Sequence, residues 1–148
     1  MTKLSRTDRG LMIGLSRVTN DLQRQVGVLC GQHDLTQTQF AILEALYSKG
    51  DLLVGEIQRL ILSTPGNVPF VINNLLKKGL VRKLNVESDK RCSRISLTEA
   101  GKQRMEAILP CHDQLLTEKF AVLSPEEKAQ LLTLVHTFWT GLKGDDQS

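Results

Sequence analysis

The sequence holds no long uninterrupted apolar run, and its first ten residues, MTKLSRTDRG, are polar. Neither a signal peptide nor a membrane-spanning helix can be made from it, so a cytoplasmic protein without membrane contact is expected. Cysteine is scarce and odd in number. Cys30, Cys92 and Cys111 stand far apart, which argues against a disulfide framework and fits a reducing compartment. Also missing are a glycine-rich phosphate loop, GxSxG, HExxH, and paired acids near a histidine, so neither an enzyme nor a cofactor is expected. Cys30 with His33 and Cys111 with His112 lack the four-ligand spacing of a structural metal site, and no metal is assigned. Without repeats, low-complexity tracts or a Pro/Gly/Ser linker, residues 1–148 read as a single domain.

What is present suits an ordinary globular domain: 41% hydrophobic and 24% charged residues, enough to bury a core. The net charge of +3 is modest, but its distribution is not even. Lys77, Lys78, Arg82, Lys83, Lys90, Arg91, Arg94, Lys102 and Arg104 face only Glu87, Asp89 and Glu99 within one tract. Such a local excess is either a solvated basic face or a footprint for phosphate.

Apolar spacing organises the chain. Leu4, Leu11, Leu15, Val18, Leu22, Val26 and Leu29 recur mostly at three, four and seven, giving one stripe on a long helix that needs a partner. Thr36 with Gln39 resembles a capping box opening a second helix, with Phe40, Leu43 and Leu46 inward and Gly50 at its end. A short third helix carries Val54, Ile57, Leu60 and Ile61. Further on, LVRKLNV and SRISL, separated by the polar ESDKRC, predict a two-stranded hairpin with a long tip. Thr98 caps the next helix, which Pro110 is expected to end or kink. Ser124, Pro125 and Glu127 then open a last helix striped by Leu131, Leu134, Val135, Phe138 and Leu142.

The stretch STPGNVPFVINNLLKKG, residues 63–79, sits between the third helix and the hairpin. Its prolines conflict with a helix only if the helix starts early. With a start near Asn67, Pro69 falls in the first turn, where a missing N–H costs nothing, and Thr64-Pro65-Gly66 becomes the preceding turn. Val68, Val71, Ile72, Leu75 and Leu76 then share the inner face. Asn67, Phe70, Asn73, Asn74 and Lys77 share the outer one.

The resulting order is a mainly α (α+β) fold with a small β-hairpin wing, a winged helix-turn-helix flanked by long N- and C-terminal helices suited to dimerisation. Boundaries are expected at 34–98 for the DNA-binding portion and at 4–30 and 99–142 for the dimerisation helices. In the same order, LTQTQFAILEAL, VGEIQRLILSTPGNVPFVINNLLKKGLVRK, ESDKRCSRISLTEAGK and LSPEEKAQLLTL resemble the MarR family of bacterial transcription regulators across roughly residues 35 to 135. The LLKKGLVRK junction, the Asp89-x-Arg91 of the wing and LTEAGK carry the resemblance best.

That resemblance implies a homodimer on a double-stranded, palindromic operator, with a recognition helix in each major groove and a wing along the neighbouring minor groove. It further implies a repressor released by a small aromatic ligand or by oxidation. Candidate DNA contacts are Ser63, Thr64, Asn67, Pro69, Phe70, Asn73, Asn74 and Lys77, with Lys90, Arg91 and Arg94 of the wing, Asp89 holding Arg91 or the turn in place. The chain departs from the family in having Pro69 and Phe70 where a threonine and a base-reading arginine are common. Cys92, between Arg91 and Arg94, whose cations can favour a reactive thiolate, is one redox candidate and Cys30 the other. No ligand-binding residue is assigned, although Phe40 and Tyr47 fall on the helix such a pocket would adjoin. The alternative is a dimeric winged-helix scaffold that binds protein without sequence-specific DNA recognition.

Overall fold

The structure, a computed structural model, describes residues 5–61, 67–85 and 93–145. The elements are α1 (Arg6–Gln32), α2 (Gln37–Lys49), β1 (Leu52–Leu53), α3 (Val54–Leu60), α4 (Asn67–Lys77), β2 (Val81–Asn85), β3 (Ser93–Leu97), α5 (Glu99–Phe120) and α6 (Pro125–Asp145). They fall into two compact units, one up to His112 and one from Asp113 onward.

Helix ends follow the side chains that can replace missing backbone bonds. Thr36 and Gln39 form the expected capping box at α2: the Gln39 N–H donates to Thr36 Oγ1 at 3.1 Å and the Thr36 N–H to Gln39 Oε1 at 3.0 Å. Ser124 and Glu127 do the same for α6, at 3.1 and 2.9 Å. Gly50 closes α2 at φ 83°. At the end of α4 the Leu80 N–H reaches the Leu75 carbonyl at 3.1 Å and the Gly79 N–H that of Leu76 at 3.0 Å, with Gly79 at φ 72°. This double closure requires a left-handed residue, which glycine supplies without strain. Helix α1 ends on the same motif with Asp34, at φ 55°, in the glycine's place.

In the first unit the core gathers Phe40, Ile42, Leu43 and Leu46 of α2, Ile57 of α3, Val68, Val71, Ile72 and Leu75 of α4, Ile95 of β3, and Met105 and Ile108 of α5. The inner face of α4 is therefore the one its spacing predicts. Cys30 of α1 is part of the same core.

Two expectations need correction. The wing is not a two-stranded hairpin alone: β1 adds to it, in the order β1-β3-β2, all antiparallel, with Leu52 opposite Ile95 and Val81 opposite Leu97. And of the two outcomes expected at Pro110, an end to α5 does not occur: the helix runs on to Phe120. Pro110 and Glu106, whose carbonyl loses its partner, are both solvent-exposed, so water can satisfy what the ring removes.

Thr98 and Gly101 weld the start of α5 to the end of the α4–β2 turn. The Thr98 N–H donates to the Leu80 carbonyl at 3.1 Å, its hydroxyl donates to the Gly79 carbonyl at 2.6 Å and accepts from the Gly101 N–H at 3.1 Å. A side chain on Gly101 would collide with the Leu80 carbonyl oxygen and stand 3.0 Å from Leu97 Cδ2. The TEAG segment is thus a junction in which glycine serves close approach.

In the second unit, α6 exposes its whole apolar stripe, Leu131, Leu134, Val135, Phe138 and Leu142, together with Leu132 and Trp139. Between the end of α5 and the start of α6 lies an apolar hollow of about 500 Å³ bordered by Leu116, Phe120, Leu123, Leu131, Leu132 and Val135. In the first unit, Leu11, Leu15 and Val18 of α1 are likewise exposed. Among the described residues no helix is long and apolar enough to cross a membrane.

Candidate nucleic-acid interface

The outer face of α4 is formed as its spacing predicts. Pro69, Phe70, Asn73 and Lys77 are exposed, while Asn67 and Asn74 are half-buried at its edge. Positions 70, 73, 74 and 77 fall at i, i+3, i+4 and i+7, one contiguous stripe. Phe70 lies at its N-terminal end, opposite the core, with 64% of its surface open to solvent. It is not a core residue. Lys77 is the stripe's sole cation, at the helix C-terminal end.

The other candidates divide. Ser63, Thr64, Lys90, Arg91 and Cys92, and with them Asp89, lie outside the described residues. Arg94 is on β3 rather than on a loop. It sits half-buried, opposite Leu53 of β1 on one side and Leu84 of β2 on the other. A long guanidinium stem can lie along such aliphatic neighbours while its head stays in water.

Two cations of the basic tract have internal work that sequence reasoning missed. Lys78 Nζ donates to the Asp34 carbonyl at 2.7 Å and lies 3.6 Å from the Asp34 carboxylate. Arg104 Nη1 donates to the His33 carbonyl at 2.7 Å. Both bind carbonyls just past the end of α1, where a helix presents partial negative charge and unpaired acceptors. Nothing local could have signalled this, since the partners are 44 and 71 residues apart. By contrast Arg82, exposed on β2, and Lys102, on the first turns of α5, border a shallow polar hollow with Thr98 and Glu99.

Cys30 is fully buried, and burial pushes its thiol up to about 11, a backbone hydrogen bond opposing only part of that shift. Its thiolate is therefore scarce at neutral pH. Iodoacetamide at pH 7.5 is expected to leave Cys30 unmodified in the native protein and to alkylate it in 8 M urea. Equal labelling in both states, read by peptide mass spectrometry, would contradict the burial. Cys111 is exposed. Phe40 is buried against the His112 ring at a centroid distance of 5.0 Å, whereas Tyr47 is partly open. Among the described residues, no three His, Cys, Asp or Glu side chains are placed to hold a metal ion.

The MarR family model matches residues 35–93, from just before α2 to the first residue of β3. The regulator MhqR of Bacillus subtilis (strain 168) is 33% identical over 117 residues, covering 79% of this chain and 81% of its own length. The chain belongs to the MarR family. Its fold is that of solved MarR-type regulators. The Escherichia coli MarR mutant complexed with operator DNA superposes with a TM-score of 0.79 at 23% identity, covering 93% of this chain and 99% of that one. The organohalide-sensing regulator RdhR-CbdbA1625 in its 2,4-dichlorophenol-bound form gives 0.82 at 21% identity, covering 94% and 83%. This MarR-family member is thus a winged-helix transcriptional regulator.

Proposed function

We propose that the chain is a homodimeric, sequence-specific DNA-binding repressor whose grip on its operator is released by a small aromatic effector. The observation that carries the reading is the outer face of α4, where Phe70, Asn73, Asn74 and Lys77 stand free of the core on one stripe. Amides can pair with adenine in the major groove and lysine can meet phosphate. Arg91, Lys90 and Arg94 of the wing supply further phosphate contacts, as do Asn67 and Pro69 in the first turn of α4 and Ser63 and Thr64, which precede it in sequence.

Dimerisation is supported by the apolar stripes of α1 and α6, exposed in the single chain. A symmetric pair on a palindromic site follows from that. An aromatic effector is supported by the phenol bound to RdhR-CbdbA1625, a structural neighbour. Oxidative release has a narrower basis: Cys30 is closed to an oxidant in the folded chain, so a redox role would fall to Cys92, next to Arg91 and two residues before Arg94, or to the exposed Cys111. A regulator that binds the operator of a bacterial gene would act in the cytoplasm.

The test is a gel shift with the DNA upstream of the chain's own gene, titrated with salt and non-specific competitor. A shift that survives competitor and weakens steeply with salt is expected. Absence of any sequence-preferring shift at low salt would instead support the protein-binding scaffold. Adding 2,4-dichlorophenol is expected to dissolve the complex. Release by mild peroxide but not by the phenol would assign the switch to a thiol.

A further inference from the structure

Phe70 opens a stripe whose other members, Asn73, Asn74 and Lys77, are polar, and most of its surface is open to water. The helix could carry an arginine or glutamine there without disturbing the core, because the inner face is made by Val68, Val71, Ile72 and Leu75. Pro69 precedes it and has no N–H, so the first turn of α4 offers one backbone donor fewer to a phosphate than an ordinary helix start. The end of the helix that meets DNA is thereby apolar and stiff.

In the major groove the bulkiest apolar base-edge group is the 5-methyl of thymine; the purine N7, O6 and N6, thymine O4 and cytosine N4 are hydrogen-bond donors or acceptors. An aromatic ring on the reading face gains most from that group, and it would lose by desolvating the donors and acceptors around it. Asn73 and Asn74, one turn further along the same stripe, suit the N6 and N7 edge of adenine, so the face as a whole is matched to A·T pairs.

We propose that Phe70 is a methyl-reading residue, selecting a pyrimidine that carries a 5-methyl group, thymine or 5-methylcytosine, at one position of each half-site. This rests on the DNA-binding reading above. It adds a chemical criterion that hydrogen-bond readout would not impose: removing a single methyl from the DNA, with every donor and acceptor kept, weakens binding.

The experiment first selects bound duplexes from a randomised pool and then replaces each thymine of the selected site by deoxyuridine, one at a time. One position per half-site is expected to lose about fivefold in affinity on losing its methyl, the size set by burying one such group. At that position 5-methylcytosine opposite guanine is expected to bind better than cytosine opposite guanine. Phe70→Ala should weaken binding to the thymine duplex and become indifferent to deoxyuridine, while Phe70→Leu should keep part of the methyl dependence. Because the side chain is exposed, Phe70→Ala should leave the melting temperature unchanged, which separates lost reading from lost folding. Uniform tolerance of deoxyuridine, or a methyl dependence that survives Phe70→Ala, would overturn the proposal while leaving DNA binding intact. Failure of the pool to yield any preferred site would overturn the DNA-binding reading and the methyl readout with it.

Discussion

Gly101→Ala is expected to destabilise the protein by about 3 kcal/mol or more, enough to leave much of the chain unfolded at 37 °C. The added methyl would overlap the Leu80 carbonyl oxygen, which is backbone and already accepts the Thr98 N–H. Neither partner can swing aside as a long side chain would. The start of α5 would have to lift, stretching the Thr98 bonds to Gly79 and Leu80 and opening the core at Met105. Alanine is otherwise the better helix former by about 1 kcal/mol, so propensity alone predicts the opposite sign. Urea denaturation followed by circular dichroism decides between them. A midpoint equal to or above that of the unchanged protein would show that the junction gives way more cheaply than its geometry suggests.

The double substitution Leu134→Glu with Phe138→Glu on α6 is expected to halve the sedimenting mass and lower operator affinity about 100-fold or more. Both residues are more than half exposed in the single chain and lie four apart on its apolar stripe. Two carboxylates at the centre of a paired helix face would be desolvated without partners, which opposes association by several kcal/mol. A monomer then loses the second half-site contact that pairing makes intramolecular. Thr140→Glu is the control. It lies on the other side of α6, with its hydroxyl bonded to the His136 carbonyl at 2.8 Å, and should leave mass and affinity in place. Analytical ultracentrifugation gives the mass, and a dimer that persists in the double variant would place the interface elsewhere.

How much of this was legible beforehand depended on whether the cause was local. Capping boxes are local, so Thr36 with Gln39 and Ser124 with Glu127 announced two helix starts. The inner and outer faces of α4 followed from its periodicity, and the start at Asn67 from where proline costs least. Strand β1 left no such mark. At two residues it is too short to alternate, and its pairing with β3 spans some forty residues of chain. Pro110 misled for a different reason: the rule that proline breaks helices assumes a carbonyl with no other partner, and on an exposed face water is one.

The candidate site was legible as a face but not as a set of independent cations. Counting charge between Lys77 and Arg104 treats every lysine and arginine alike, yet Lys78 and Arg104 bind carbonyls beyond α1. The reason for Gly101 was equally invisible, since it lies in the Leu80 carbonyl across the junction. For Cys30, the sequence shows a thiol with cations at a distance, whereas only the fold shows the apolar packing that keeps it protonated.

Trp139 is the chain's single tryptophan, half exposed on α6 with the Lys143 ammonium 5.0 Å above its ring. Indole emission shifts to shorter wavelength when water leaves the ring, and a cation over the face perturbs it further. The protein therefore carries one intrinsic fluorophore, with no second tryptophan to blur its signal, on the helix whose apolar stripe awaits a partner. The colour of its emission reports, in unlabelled protein and at dilutions below those sedimentation can follow, what covers that helix.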